Sequence, residues 1–266
     1  MSLILPFEKI NENVSYNEVP TYLFDGKNND KNLFEIDIKN DCKIILVNIN
    51  NDFHVHARVR PSKNATFSFF SINKISSVEM EFDLLENSNL IAYFADFISS
   101  DCKMNVKVNL NGSNSSCVWN LASLSKNEEH KYADVSVIHN SPNTFCKINN
   151  FGVSKDHSKL VFSGICHIKN GSHNSKAHQN AKIMVFDDCC DSVAKPILKI
   201  DDNSIEASHA AVVGKISDDQ LFYLTSRGLS IEQARELITF GYLKPILLGF
   251  EDDKIKEMKS ADFPNP

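Results

Sequence analysis

Apolar and polar residues alternate along most of the chain between about residue 40 and residue 215. In the stretch DFHVHARVR every second residue is apolar, namely Phe53, Val55, Ala57 and Val59, and the stretch CKMNVKVNLNG repeats the pattern. Successive side chains of a strand point to opposite faces of a sheet, so this alternation is typical of strands with one buried face and one solvated face. Clusters of Asn, Ser, Asp and Gly separate these stretches and favour turns. The chain is therefore predicted to be mostly β.

Three architectures fit this pattern: a β-sandwich, a jelly roll and a parallel β-helix. Periodicity alone does not choose among them. The strict hexapeptide or nonapeptide repeats of the most regular β-helices are missing from the sequence, so a solenoid built from this chain would have irregular coils.

Helical signals begin after residue 216. Ser217 and Ser230 are each followed three residues later by Gln, which is the arrangement of a capping box. Gly228 supplies the left-handed residue that ends the first helix, and Pro245 is expected to end or bend the second. The chain then divides into an N-terminal segment, a β core, a helical region and a charged tail whose last residues are expected to be disordered: 1–35, 36–216, 217–250 and 251–266.

Composition and charge narrow the class of protein. A chain of 266 residues, of which 42% are hydrophobic and 23% are charged, suits one large domain or one domain with an appendage. The net charge of -6 and the lack of a basic run argue against nucleic-acid binding, because phosphate recognition needs clustered Lys and Arg. The N-terminus MSLILPFEKI lacks the basic leader of a signal peptide, and no apolar run approaches the ~20 residues of a membrane span. We therefore expect a cytoplasmic protein that binds neither nucleic acid nor membranes.

The seven cysteines are odd in number, scattered and without a CxxC pair, so neither a disulfide framework nor a zinc site is predicted. Most are expected to be buried thiols that act as small hydrophobes. Cys189 and Cys190 are adjacent, and neighbouring side chains of a strand point apart, so this pair is not expected to hold one metal by itself. His54 and His56 share the polar face of one strand, where a solvated histidine is the favoured interpretation and a metal site the alternative.

A run of specific motifs appears near the C-terminus. Residues 177–243 contain a glutamine in a presumed turn, Pro196 before an alternating strand, the segment SHAAVVG, the segment DDQLFYLTSRG and an A-x-x-L-I-x-x-G-aromatic motif, in this order and closely spaced. This region resembles the C-terminal core of the SufB/SufD family of iron-sulfur cluster assembly proteins. The resemblance is firm over about residues 160–243 and looser upstream, and it leaves at most residues 1–35 for the larger helical N-terminal region of that family.

The resemblance implies a right-handed parallel β-helix with a small C-terminal helical region. It also implies a non-enzymatic scaffold that pairs through its β-helix with a SufB paralogue and binds the ABC-type ATPase SufC through its C-terminal helices. A transient iron-sulfur cluster is expected where the paired subunits meet. The sequence has no P-loop, so ATP is expected to be bound by the partner and not by this chain.

Two residues are predicted to bind the cluster and its iron. The histidine of SufD falls on His209, and Ala210 replaces the acidic residue that follows the corresponding histidine in SufB, which favours a SufD-like role. Cys190 occupies the position of the SufB cysteine, six residues before Pro196, although SufD proteins usually lack this cysteine. An imidazole can ligate iron and a thiolate can accept sulfur as a persulfide. The alternative for His209 is a core histidine hydrogen-bonded to a backbone carbonyl.

The helices are predicted to dock SufC, with their apolar residues also packing against the end of the β-helix as a cap. The predicted partner-binding residues are Leu221, Phe222, Glu232, Arg235, Glu236, Tyr242 and Leu243. Two alternative functions stay open. One is a homodimeric, SufB-like scaffold that loads a cluster through its own Cys190 and His209. The other is a β-helix carbohydrate-active enzyme, for which no suggestive pair of carboxylates is found.

Overall fold

A computed structural model of the protein describes residues 8–9, 19–25, 33–47, 49, 51–71 and 73–250. The predictions for the charged tail lie outside these residues, as do those for much of the N-terminal segment. The described residues form the following strands and helices: β1 (Glu8–Lys9), β2 (Thr21–Asp25), β3 (Leu33–Ile38), β4 (Cys42–Val47), β5 (Phe53–Val59), β6 (Asn64–Ser71), β7 (Ser77–Leu84), β8 (Asn89–Asp96), β9 (Cys102–Leu110), β10 (Ser116–Ser125), β11 (His130–His139), β12 (Phe145–Ser154), β13 (Lys159–Ile168), β14 (Ser175–Val185), β15 (Asp191–Ile200), β16 (Ile205–Lys215), α1 (Asp218–Ser226) and α2 (Ile231–Leu247).

Successive strands alternate between two sheets. One sheet has the order β1-β2-β4-β6-β8-β10-β12-β14-β16 and the other β15-β13-β11-β9-β7-β5-β3. Strands within each sheet are parallel, except for the antiparallel pair β1–β2. The predicted parallel β-helix is therefore confirmed, and the sandwich and the jelly roll are excluded because both are antiparallel. The pairing begins with β2 and β3, so strands that start before residue 36 already belong to the β-helix.

The coils lengthen along the chain, which explains why no sharp repeat is visible in the sequence. Near the start Thr21 pairs with Lys43, an offset of 22 residues, whereas later Phe145 pairs with Lys176, an offset of 31 residues. Because most coils differ in length from the previous one, equivalent positions do not recur at a fixed period. The strands of successive coils pair in a regular way, although the sequence shows no fixed period.

The corners between strands use the left-handed backbone that asparagine tolerates. Positive φ angles occur at five asparagines and at Ser62 and Asp156, and the asparagines are Asn87, Asn114, Asn127, Asn143 and Asn174. Side-chain amides also bond from coil to coil; for example, Asn114 donates to the Oδ1 atom of Asn87 at 3.0 Å. The abundance of asparagine at predicted turns is thus explained by a stack of similar corners.

The interior of the β-helix is filled by side chains from both sheets. Its centre is an aromatic stack in which the Phe94 ring lies 4.0 Å from Phe69 and 5.7 Å from Trp119, centroid to centroid. The predicted inward set Phe53, Val55, Ala57 and Val59 is buried. The alternation of the sequence therefore gave the inward face of these strands correctly.

Helix α2 packs on the outer face of the nine-stranded sheet and not on the end of the β-helix, so the predicted end cap is wrong. Its buried residues Leu243, Ile246 and Leu247 join a second apolar cluster that includes Phe70 and Val153 of the sheet. A helix laid on a sheet face buries apolar area from both elements, which stabilises this position more than contact with a single coil edge would. None of the helices among the described residues is long and apolar enough to cross a membrane.

The helix boundaries follow the predicted signals in part. Ser230 forms the full capping box with Gln233, and Gly228 adopts a φ of 97°. Ser217 precedes α1 but makes no side-chain capping bond, so its predicted box is not formed. Pro245 does not end α2, which continues to Leu247.

Candidate functional site

The last coil of the β-helix is uncovered. Among the described strands, β16 ends the nine-stranded sheet and β15 ends the seven-stranded sheet. Val212 and Val213 of β16 are 54% and 44% exposed, although they are neighbours and point to opposite faces. Both faces of β16 are therefore accessible. Such an edge, with apolar side chains and unpaired backbone groups, is able to pair with another chain.

His209 lies in the middle of this edge strand and faces the inner side of the coil. It is in register with Gln179 of β14, and in-register residues of parallel strands point to the same face. Gln179 is buried and bonds across the interior to the Ile197 carbonyl oxygen at 2.9 Å. The inner side is thus assigned to His209 as well. Gln179 itself belongs to a strand and not to the turn that the sequence suggested.

The surroundings of His209 are small and open. Ala207 and Ala211 lie two residues away on the same face; Ala211 is exposed, and Ala207 is half-buried at the edge of the core. His209 is exposed, and its imidazole has no hydrogen-bond or ion-pair partner within the part of the chain that the structure describes. The alternative of a core histidine bonded to a carbonyl is therefore wrong for this residue. An inward-facing imidazole at an open coil end is free to bind a ligand.

Cys190 lies in the turn between β14 and β15 of the same coil. The neighbouring turn residue Asp188 forms an ion pair with Lys215, at the end of β16, at 2.8 Å. Six residues separate Lys215 from His209, which corresponds to roughly 20 Å along a strand. Within one chain, Cys190 and His209 are therefore not brought together. No group of three or more His, Cys, Asp or Glu side chains among the described residues is arranged to hold a metal ion.

Cys189 and Cys190 occupy a turn and not a strand, which corrects the prediction that their side chains point apart. The Cys190 backbone N–H donates to the Asp187 carbonyl at 3.1 Å, which closes the turn. The Sγ atoms of Cys189 and Cys190 lie 2.9 Å and 3.3 Å from the same acceptor, the Asp156 carbonyl oxygen. No role for Cys189, and no turn at this position, was predicted from the sequence. The preceding pair of aspartates, a turn-forming signal, could have revealed it.

Arg235 of α2 is tied to this turn. Its guanidinium forms two bonds to the Asp187 carboxylate, at 3.1 Å and 2.5 Å, and stacks 4.8 Å from the centre of the Phe186 ring. The bond to Arg235 lowers the pKa of Asp187, and burial, followed by the charge of Arg235, lowers the pKa of Lys155 to about 8. Arg235 was predicted to bind a partner, and the structure shows that it is half-buried and connects α2 to the corner that carries Cys190.

The remaining predicted partner-binding residues divide by exposure. Phe222 is 74% exposed, and Glu232 and Glu236 are also exposed. Leu221 and Tyr242 are half-buried, whereas Leu243 is fully buried against the sheet and is not available to a partner.

Between α1 and α2 runs an open cavity of about 550 Å³. It is lined by residues that include Met184, Tyr223, Leu224, Ile238 and Tyr242.

The two strand histidines face carboxylates and not each other. His56 Nε2 lies 3.0 Å from Asp83, and His54 Nδ1 lies 3.9 Å from Glu79. The bond to Asp83 raises the pKa of His56. The solvated outer face favoured from the sequence is confirmed by these ion pairs on the sheet surface.

Comparison with known proteins identifies the family. The family model described as "SUF system FeS cluster assembly, SufBD core domain" matches residues 10–242. The chain belongs to the SufBD core family. This membership confirms the resemblance found in the sequence.

Relatives named SufB and SufD match to similar degrees. The iron-sulfur cluster assembly protein SufD of Bacillus subtilis is 35% identical over 106 residues, which is 40% of this chain and 24% of the relative. SufB of the same organism is 33% identical over 117 residues, 44% of this chain and 25% of the relative. A SufBD family protein of Staphylococcus saprophyticus is 34% identical over 113 residues, 42% and 24% of the two chains. The matches thus span about a quarter of each relative's length.

Proposed function

We propose that this chain is a SufD-like, non-enzymatic scaffold subunit of the cytoplasmic SUF machinery. In this proposal it pairs with a SufB paralogue through β16 and binds the SufC ATPase through α1 and α2. A transient iron-sulfur cluster is its cargo, and ATP is bound by SufC.

The observation that carries this proposal is the uncovered edge strand β16 with His209 on its inner face. Among the described strands each interior strand has two neighbours, whereas β16 has one, so adding a strand from a partner would satisfy its backbone groups. The exposed Val212 and Val213 supply apolar area for such an interface.

His209 would then lie at the junction of the two coils. A neutral imidazole can complete the ligand set of iron when thiolates or sulfide supply the other positions. The alanines on either side leave space for the cargo, and no hydrogen bond from the described residues competes for either ring nitrogen.

The surface for SufC is the groove between the two helices. Phe222 and Tyr223 on α1 are 74% and 56% exposed, and the adjacent cavity is lined largely by apolar residues. Exposed aromatic residues beside an apolar groove are typical of a protein-binding surface. We place Phe222, Tyr242, Glu232 and Glu236 in this surface and leave out the buried Leu243.

Anaerobic affinity purification of the tagged full chain from its native cytosol tests both surfaces, with identification of SufB and SufC and assays of iron and sulfide. We expect Val212→Lys to lose SufB and keep SufC, because lysine on an edge strand prevents pairing. Phe222→Glu should lose SufC and keep SufB. Ile91→Lys, which changes an exposed apolar residue on an interior strand, should keep both partners.

The same purification separates cargo binding from assembly. His209→Ala should retain both partner proteins and lose iron and sulfide. Recovery of SufB with Val212→Lys at the wild-type ratio would contradict pairing through β16, and an unchanged iron content in His209→Ala would contradict the role of the imidazole.

A homodimer is the second candidate, favoured by the presence of both Cys190 and His209. Because these residues lie roughly 20 Å apart along the coil, one chain would have to combine its Cys190 with His209 of the second copy. A homodimer predicts that SufC co-purifies without SufB and that Cys190→Ala and His209→Ala each lose the cluster.

A further inference from the structure

The corner that carries Cys190 presents two thiols and not one. Cys189 is exposed and Cys190 is half-exposed, and both sulfurs approach the Asp156 carbonyl oxygen at 2.9 Å and 3.3 Å. The sum of those two distances, 6.2 Å, is the largest separation that the sulfurs can have. Rotation about the side-chain bonds is enough to change such a separation, because neither thiol is packed in the core.

The other five cysteines differ from this pair in accessibility. They are all buried: Cys42, Cys102, Cys117, Cys146 and Cys166. Burial raises the pKa of Cys42 to about 11 and of Cys117 to about 12. The Sγ atoms of Cys146 and Cys166 lie only 3.4 Å apart, yet both are buried. Since thiolates are the reactive species and need access, sulfur chemistry is directed to Cys189 and Cys190.

We propose that Cys189 and Cys190 act together as a vicinal dithiol that reduces sulfane sulfur to sulfide. This inference rests on the proposed function in taking the chain as a subunit of cluster assembly, and on the sequence-based expectation that Cys190 accepts sulfur. A persulfide donor, RSSH, transfers its outer sulfur to the Cys190 thiol, giving a Cys190 persulfide and RSH. The Cys189 thiolate then attacks the inner sulfur of that persulfide.

The second step balances in atoms and electrons. The bond between the two sulfurs of the persulfide breaks, the Cys189–Cys190 sulfur bond forms, and the outer sulfur leaves with the electron pair and takes up protons as H₂S. The sulfane sulfur gains two electrons, and the two thiols lose two electrons as they become a disulfide. The product is sulfide, the oxidation state of sulfur that iron-sulfur clusters contain.

The geometry of adjacent cysteines also favours reduction of the disulfide back to two thiols. Consecutive Cα atoms are about 3.8 Å apart, below the ~4.4–6.8 Å that disulfides prefer. A bond between adjacent cysteines is therefore strained and easily reduced, so a cellular thiol is able to restore the dithiol. An open turn at the surface gives that thiol access.

A single-turnover assay on the purified full chain tests the proposal. The chain is mixed anaerobically with one equivalent of glutathione persulfide, without iron or partner proteins, then quenched with N-ethylmaleimide. Released sulfide is measured, and the peptide that contains both cysteines is weighed by mass spectrometry. Cys189→Ser is the test variant, the double variant Cys189→Ser/Cys190→Ser is the blank for the buried thiols, and thermal melts check that each is folded.

The wild-type chain should release sulfide, and its peptide should lose two hydrogen atoms. Cys189→Ser should hold a persulfide on Cys190. Its rate of sulfide release should be lower by a factor of about ten or more, because the intramolecular attack is lost. Sulfide release from Cys189→Ser at the wild-type rate, or a persulfide that persists in the wild-type chain, would overturn the proposal. Neither result bears on the proposed binding of SufB and SufC, because the assay contains no partner protein. The affinity purification tests that binding separately.

Discussion

The interior coils and the terminal coil have the same kind of sequence but opposite environments. Strand β12 lies between β10 and β14 and has every second residue buried, whereas β16 has a neighbour on one side and has no buried residue. Ile148 is 1% exposed and Val212 is 54% exposed. Burial in a solenoid therefore depends on a following coil, and the last coil has none among the described strands. Apolar residues stabilise the fold in the interior and are available to a partner at the end.

The largest expected difference between the interior coils and the terminal coil is the loss of stability when an apolar side chain is truncated. Phe94→Ala removes a fully buried ring from the aromatic stack and should lower the free energy of unfolding by about 4 kcal/mol, since it leaves a cavity. Val213→Ala on the terminal coil should change it by less than about 0.5 kcal/mol. Urea denaturation of both variants measures the contrast, and equal losses would break the comparison.

Ion pairs should show the same contrast. Lys131 is buried and donates to Asp96 at 3.1 Å and to the Leu124 carbonyl at 2.6 Å. Lys131→Ala leaves Asp96 buried without its cation and should cost about 3 kcal/mol.

The matched change Lys176→Ala breaks an exposed pair with Glu206 near the open end and should leave the denaturation midpoint unchanged. A large effect of Lys176→Ala would show that the terminal coil is held more rigidly than its exposure indicates.

Replacing the serine that precedes each helix should give a difference in stability of intermediate size. Ser230 caps α2, which is anchored on the interior coils, through bonds with Gln233 of 2.9 Å and 3.1 Å. Ser230→Ala should cost about 1 kcal/mol. Ser217→Ala should have no comparable effect, because Ser217 makes no side-chain capping bond. Thermal melts of the two variants give the result, and equal shifts would contradict the observed difference in capping.

The smallest expected effect is a pH dependence on the outer face of the interior coils. Hydrogen bonding to Asp83 raises the folded-state pKa of His56 above its unfolded value of about 6.5. The contribution of the His56–Asp83 bond to the free energy of unfolding is therefore complete below about pH 6.5 and is lost as pH rises through the folded-state pKa. His56→Gln should flatten this part of the stability profile, measured by urea midpoints between pH 5 and 9. If the slope of the urea midpoint against pH is the same in His56→Gln, another group causes the pH dependence.

Much of the fold and part of the site were predictable from local patterns. Alternation identified the strands because the side-chain period of two is a property of the extended backbone itself. The family resemblance pointed to His209, and the structure shows it exposed on an edge strand of the described sheet. The position of α2 was not predictable, since the outer face of a sheet and the end of a coil offer similar apolar surfaces to an amphipathic helix.

The sequence by itself determined the alternation, the corner asparagines, the capping box at Ser230 and the family, because each depends on nearby residues. Only the tertiary structure decided which coil is uncovered, that Arg235 joins α2 to the Cys190 corner, and that Cys189 and Cys190 point to one carbonyl. It also decided that His209, in the middle of β16, lies away from the turn that carries Cys190. These relations depend on pairings between residues about 30–50 positions apart, and local periodicity carries no information about such distances.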